Sequence, residues 1–126
     1  MLDHLSLPVY DLEVAARFYD AALSALGYAR VWSSDDAVGY GYSGDPNEPF
    51  AIKIDSRAVP PPQRFHLAFR AESTEAVGTF YTAALENGGA DDGAPSLVPE
   101  YGLHYFAAFV IDPDGHRVEA VFHGTP

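Results

Sequence analysis

Three side chains of this sequence are of types that bind transition metals, and they occupy related positions. Glu119 interrupts the apolar run "RVEAVF" (117–122), where burying a carboxylate costs free energy unless a partner pairs with it. His4 and His66 each open a short apolar segment, 62 positions apart. Two neutral imidazoles and one carboxylate are a ligand set for Fe, Mn, Ni or Zn that leaves positions open for substrate or water. Brought together, these residues would form a metal site.

An internal repeat gives the two histidines equivalent places. Residues 4–27 align without gaps with residues 66–89, and nine positions are identical in the two copies. Each copy predicts a short strand followed by a helix whose apolar residues recur at helical spacing. The predicted N-caps are Asp11 and Ser73, and the predicted C-terminal glycines are Gly27 and Gly89.

After each helix, apolar runs between turn residues predict three more strands. They cover 29–33, 36–42 and 50–55 in the first half, and 96–99, 103–111 and 116–123 in the second. The proline run in "VPPPQR" (59–64) cannot join a strand ladder and predicts a linker. We therefore expect an α+β fold in a single domain, 1–126, with a first βαβββ module at 1–58 and a second at 64–126.

Strand parity indicates which residues share a face of the sheets. Alternate residues of a strand point to opposite faces, so the apolar set of the first strand faces the helix while His4 faces away from it. The same parity places His66, Glu119 and Lys53 away from the helices. If the modules curl together, the polar faces line a cup of curved mixed sheet with the helices on its outer face.

Composition excludes several classes of partner. The formal net charge of -11 and the pI near 4.5 argue against nucleic acid and anionic membranes, because phosphate groups would be repelled. There is no cysteine, so any metal must be held by histidine, carboxylate or water. No stretch has the length or apolarity of a signal peptide or a membrane span. A soluble, cytoplasmic protein that acts on a small molecule is expected.

Four segments together resemble the vicinal oxygen chelate superfamily, which includes glyoxalase I, extradiol dioxygenases, fosfomycin-resistance transferases and bleomycin-binding proteins. The segments are "DHLSLPV" (3–9), "RFYDAALSALGY" (17–28), "FHLAFRA" (65–71) and "AFVIDPDGHRVEAV" (108–121). In metal-binding members the ion is held by residues that match His4, His66 and Glu119. The resemblance also implies a homodimer.

The resemblance narrows the chemistry through the residues that differ. The fourth ligand of glyoxalase-like members matches Lys53, which cannot bind a metal when protonated. The isomerisation catalysed by glyoxalase I needs an acid/base pair, and this chain would lack the second carboxylate of that pair. The oxyanion-binding Ser and Tyr of the fosfomycin enzymes are replaced by Ala107 and Phe109, which makes fosfomycin doubtful as the substrate. Within "DPDG" (112–115) we interpret the residues as a hairpin turn, with His116 outside the cup.

Two functional hypotheses follow. In the first, the chain is a metal-dependent enzyme, either a dioxygenase, a lyase or isomerase, or a transferase. Its substrate is an oxygen-rich small molecule that chelates the divalent metal through two oxygens. Its candidate catalytic residues, as acids, bases or an oxyanion-stabilising cation, are Lys53, His123, His104 and Tyr105. In the second, the cup is metal-free, Lys53 pairs with Glu119, and the protein binds or sequesters a small molecule such as an antibiotic.

Overall fold

The computed structural model describes residues 1–45 and 47–124. It confirms the α+β class and the repeated βαβββ order. The first module contains β1 (Leu5–Val9), α1 (Leu12–Ser24), β2 (Ala29–Ser33), β3 (Ala37–Gly41) and β4 (Phe50–Ile54). The second contains β5 (His66–Arg70), α2 (Thr74–Glu86), β6 (Ala90–Leu97), a 3₁₀ turn (Pro99–Tyr101), β7 (Tyr105–Ile111) and β8 (Arg117–His123).

Each module forms its own four-stranded mixed sheet. The strand orders are β1-β4-β3-β2 and β5-β8-β7-β6. The first strand of each module runs parallel to the last, and the remaining pairs are antiparallel. Consequently β1 and β5 are edge strands of separate sheets within one chain.

The two helices begin as the sequence predicts. The side chain of Asp11 accepts a hydrogen bond from Val14 N at 3.1 Å, and Ser73 Oγ accepts one from Ala76 N at 3.0 Å. Each side chain satisfies a backbone N–H that has no partner inside the helix.

The helix ends differ in one respect from the prediction. Gly27 has the expected positive φ of +89°, but in the second module the residue with positive φ is Gly88, at +99°, and not Gly89. Gly89 is required for another reason. A Cβ there would lie 2.7 Å from Phe18 Cε2 of α1, so the absence of a side chain allows the two modules to approach closely.

The helices pack against each other and against both sheets. Helix α1 contacts β2 and β4, α2 contacts β6, β7 and β8, and α1 contacts α2 directly. One cluster of buried apolar residues contains members of both helices and both sheets, among them Val9, Phe18, Phe80 and Val110. Because each sheet turns its helix-covered face toward this core, its other face, which we call the open face, has no helix over it.

A buried hydrogen-bonded cluster also joins the modules. Tyr19 of α1 donates a hydrogen bond to Asp112 Oδ2 at 2.5 Å, and His116 Nδ1 lies 2.8 Å from the same oxygen. Nearby, Tyr10 N donates to Asp114 Oδ1 at 2.9 Å. The "DPDG" turn therefore closes the β7–β8 hairpin, as predicted, and also anchors it to the first module.

The open face of the first sheet has a floor of small residues under one large ring. Ala37, Gly39 and Ala51 are buried there, and the indole of Trp32 covers Gly39. A Cβ on Gly39 would lie 2.2 Å from Trp32 Nε1. A glycine at this position is therefore what allows the indole to lie against the sheet.

Strand β6 is longer than predicted. The sequence predicted a short strand at 96–99, whereas β6 runs from Ala90 to Leu97 with two irregularities of register against β7. Its residues "ADDGAP" (90–95) have low strand propensity, and Pro is excluded from the interior of a sheet. Both features are tolerated because β6 is an edge strand. Strand β7, in contrast, is shorter than predicted, because it begins at Tyr105, two residues later.

No helix among the described residues has the length and apolarity needed to cross a membrane.

Candidate metal centre

Glu119 is the buried acid at the centre of the second sheet. It lies in the middle of β8, is 1% exposed, and alternates with Val118 and Ala120, which enter the core. Strand β8 lies between β5 and β7, so its open face is flanked by side chains from both. Glu119 therefore has neighbours from two strands that are distant in sequence.

Two polar side chains satisfy its carboxylate. His66 Nε2 lies 2.5 Å from Glu119 Oε1, and the Tyr105 hydroxyl donates a hydrogen bond to Oε2. The register explains both contacts: Ala68 pairs with Glu119 in the β5–β8 ladder, and Tyr105 starts β7 on the same face. The predicted approach of His66 to Glu119 is thus present in the structure, and a buried carboxylate has the partners it requires.

An open cleft of about 320 Å³ lies over this group and is lined by His66, Ala68, Tyr101, Tyr105 and Glu119. The ring of Tyr105 makes edge-to-face contacts with Tyr101, at 5.3 Å between centroids, and with His123, at 5.0 Å. Tyr101 was not a candidate from the sequence, because the path of the segment before β7 could not be predicted.

Burial, together with the hydrogen bond to Glu119, raises the pKa of Tyr105 above the ordinary value of 10.0. The phenol therefore keeps its proton at neutral pH. It acts as a donor to Glu119 and is not available there as a base.

His4 is not joined to this pair within one chain. It immediately precedes β1, is exposed, and its Nδ1 lies 2.6 Å from Asp3 Oδ1. Among residues 1–45 and 47–124, no group of three or more His, Asp or Glu side chains is arranged to hold a metal ion. The described residues of one chain therefore bring together two fitting donors, an imidazole nitrogen and a carboxylate oxygen in contact, but not a third.

The register also identifies the counterpart of Glu119 in the first module. Glu119 pairs with Ala68, which lies two positions after His66. The equivalent residue two positions after His4 is Ser6, and it pairs with Ala51. Lys53, which the resemblance matches to the fourth ligand of glyoxalase-like members, lies two residues further along β4, where it pairs with Pro8. Ala51 has no ligating atom, so the first module supplies no carboxylate opposite Ser6.

The remaining candidates lie around the periphery. Lys53 is exposed on β4, and in the described part of the chain it forms no ion pair with Glu119. His123 is exposed beside Tyr105, and His104 is exposed with its carbonyl accepting from Gly124 N at 3.3 Å. His116 contacts Asp112 in the inter-module cluster, away from Glu119 and its cleft.

Comparison with known proteins identifies the family. A sequence model of the Glyoxalase/Bleomycin resistance protein/Dioxygenase superfamily matches residues 1–120. The chain belongs to this superfamily. The resemblance of its four sequence segments is therefore confirmed.

Solved structures of this superfamily share the fold. A glyoxalase/bleomycin resistance protein from Albidiferax ferrireducens T118 is 28% identical, with a TM-score of 0.82 over 97% of this chain and 98% of that one. A glyoxalase-related enzyme from Fulvimarina pelagi is 22% identical, with a TM-score of 0.73 over 97% and 87%. A glyoxalase I mutant from Zea mays is 22% identical, with a TM-score of 0.71, and this chain spans 45% of its length. No curated protein matches the chain.

Superfamily membership leaves the activity open, since one fold supports several chemistries.

Proposed function

We propose that the protein is a small metal-dependent enzyme in which His66 and Glu119 bind a divalent cation, Fe, Mn, Ni or Zn, with His4 as the third ligand. The observation that carries the proposal is the burial of Glu119 in contact with His66 on a sheet face that no helix covers. Burying a carboxylate costs free energy, and binding a divalent cation would explain why an acid occupies this position.

We infer that the third ligand comes from a second copy of the chain. Helices α1 and α2 pack against each other, and among the described residues no strand of the first sheet pairs with a strand of the second. A homodimer that sets β1 of one copy beside β5 of the other would form the cup and bring His4 to His66 and Glu119. The edge positions of β1 and β5 support this arrangement.

When bound, the cation would act as a Lewis acid on a small molecule that chelates it through two adjacent oxygens. The chain's own residues have separate tasks. Tyr105 holds Glu119, the cleft beside Tyr101 and Ala68 receives the substrate, and Lys53 would face it from the partner's sheet, where an ammonium stabilises a developing oxyanion. The reaction classes that fit are ring cleavage by dioxygen, a lyase or isomerase step, and group transfer.

One observation favours the alternative, a metal-free protein that binds or sequesters a small molecule. His66 and Glu119 satisfy each other directly at 2.5 Å, so the pair is stable without an ion. The ion pair of Lys53 with Glu119 that this alternative predicted is not formed within the described part of one chain.

Elemental analysis of untagged protein tests the proposal. We expect close to one divalent metal per chain, and none in His66→Ala, which should keep its fold because His66 is half-exposed. His104→Ala is the matched control and should retain metal, since His104 lies outside the cleft. Wild-type protein that purifies and dialyses without metal, and binds none on titration, would refute the enzyme in favour of the binding protein.

Mixing two defective chains tests the shared site. His4→Ala and Glu119→Leu should each bind no metal alone. If the ligands come from different copies, a refolded mixture regains metal, because a mixed dimer has one intact set of three. Ligands from a single chain would give no recovery.

A further inference from the structure

The two oxygens of Glu119 have different partners. Oε1 faces His66 at 2.5 Å, and Oε2 accepts the hydrogen bond from the Tyr105 hydroxyl. A phenol has a single O–H, and here it is directed at Glu119. The carboxylate is thus held with one oxygen toward the histidine and the other turned toward β7.

Arg117, which precedes Glu119 on the same face of β8, donates to Asp92 at 2.8 Å, and the other neighbours of Glu119 toward β7 are apolar. The partners of Glu119 in register are Ala68 on β5 and Phe109 on β7, and Val121 follows it on the same face. These side chains are apolar. Among the described residues, Tyr105 is the side chain that satisfies Oε2.

The ring of Tyr105 is itself fixed. It lies at the start of β7, paired in register with His123, and makes edge-to-face contacts with Tyr101 and His123. Such contacts restrict the ring in addition to burying it. The hydroxyl therefore has a defined position from which it orients the carboxylate.

We propose that Tyr105 is a positioning residue that holds Oε2 of Glu119 away from the cation, so that Glu119 binds metal through Oε1 alone. This inference rests on the proposed metal site. The sequence made Tyr105 a candidate catalytic residue, and the proposal instead gives it a positioning role, because a hydroxyl that donates to Glu119 does not touch the substrate. Binding through one oxygen leaves an additional coordination position for a chelating substrate, which needs two.

Cobalt(II) binding tests the proposal without any assay of activity. Dissociation constants are measured by equilibrium dialysis for wild type, Tyr105→Phe and Tyr101→Phe. Loss of the hydrogen bond in Tyr105→Phe should weaken binding by about 10- to 100-fold, the range found when a hydrogen-bond partner of a metal ligand is removed. Tyr101→Phe removes a hydroxyl from the same cleft but none from Glu119, and should bind like wild type.

The visible absorption of bound cobalt gives a second readout. Once Oε2 is released, both oxygens can bind the ion, so the coordination number rises and the absorption of Tyr105→Phe should weaken relative to wild type. A purely structural role for Tyr105 would not change this spectrum.

The outcomes separate the two proposals. Wild-type protein that binds no cobalt overturns both. Wild-type protein that binds cobalt, with the affinity and spectrum of Tyr105→Phe unchanged, overturns the role of Tyr105 alone. If circular dichroism shows that Tyr105→Phe does not fold, Tyr105→Gln and Tyr105→Leu replace it. The Gln side chain can still donate to Oε2, so Tyr105→Gln should bind cobalt at least about tenfold more tightly than Tyr105→Leu. Equal affinities of these two variants overturn the proposal.

Discussion

The two modules share one architecture but differ in what they bury. The acids and the histidine that the described structure buries are Asp112, His116 and Glu119, and all lie in the second module. At the position equivalent to Glu119 the first module has Ala51. The repeat therefore preserves the scaffold, while among the described residues the acids and the histidine that are buried as whole residues lie in the second copy.

The two buried acids of the second module have different partners. Asp112 is satisfied by Tyr19 of the first module, by His116 and by backbone N–H groups of its own turn. Glu119 is satisfied by two side chains of its own module, and its partner His66 is 44% exposed. Asp112 therefore joins the two modules through Tyr19, whereas Glu119 lines the cleft of the second module.

The largest effect on stability is expected from Asp112→Ala. It would leave the Tyr19 hydroxyl and the His116 donors buried without their acceptor, and should lower the free energy of unfolding by about 3–5 kcal/mol. Urea denaturation measures the change. Asp114→Ala, in the same turn, loses one hydrogen bond from Tyr10 N and should cost about 1 kcal/mol. Equal costs for both would mean that Asp112 has no special part in joining the modules.

A smaller effect on stability is expected from Glu119→Leu. The substitution leaves His66 and the Tyr105 hydroxyl without their acceptor, but both side chains are partly exposed and can contact water, so the free energy of unfolding should fall by only about 1–2 kcal/mol. The same protein should lose its metal. A loss of stability comparable to that of Asp112→Ala would show that Glu119 is structural, and the contrast between the two acids would be lost.

The smallest effects concern two turn aspartates with opposite pKa shifts. In the first module, a hydrogen bond from the backbone N–H of Arg57 lowers the pKa of Asp55 below 3.8, and the Arg57 side chain contributes less. In the second module, burial raises the pKa of Asp114 above 3.8. Asp55 thus contributes stability above pH 3.8 that is lost as pH falls through its lowered pKa. The contribution of Asp114 instead declines as pH rises from 3.8 to its raised pKa.

Carboxyl NMR titration should find Asp55 titrating below Asp114. Arg57→Ala serves as the control, because it keeps the backbone N–H and should leave most of the shift of Asp55 in place. A reversed order of the two pKa values would contradict this difference between the modules.

The sequence predicts the repeated part of this fold well. Helical periodicity with Asp11 and Ser73 as caps defined both helices, since local chemistry decides where a helix begins. Strand parity placed His66 and Glu119 on one face because the side-chain period of a strand is fixed, and the contact between them followed once β5 and β8 were neighbours.

What the sequence could not predict depends on partners that are distant along the chain. The burial of Asp112 requires Tyr19, 93 positions away. That Ala51 is the first-module equivalent of Glu119 could not be found from the sequence, because register is set by pairing with β1, which no local pattern specifies. Strand β6 was missed at its start because an edge strand tolerates residues that an inner strand excludes. The roles of His4, His66 and Glu119 as metal ligands stay a prediction.

The indole that lies on Gly39 gives the protein an internal optical probe. Trp32 is the single tryptophan of the chain, and it is partly exposed on the open face of the first sheet. Its emission therefore reports on the solvent at that face and on no other part of the molecule. Anything that covers the small-residue floor around Gly39 would shift this emission to shorter wavelength, without a label or a change in sequence.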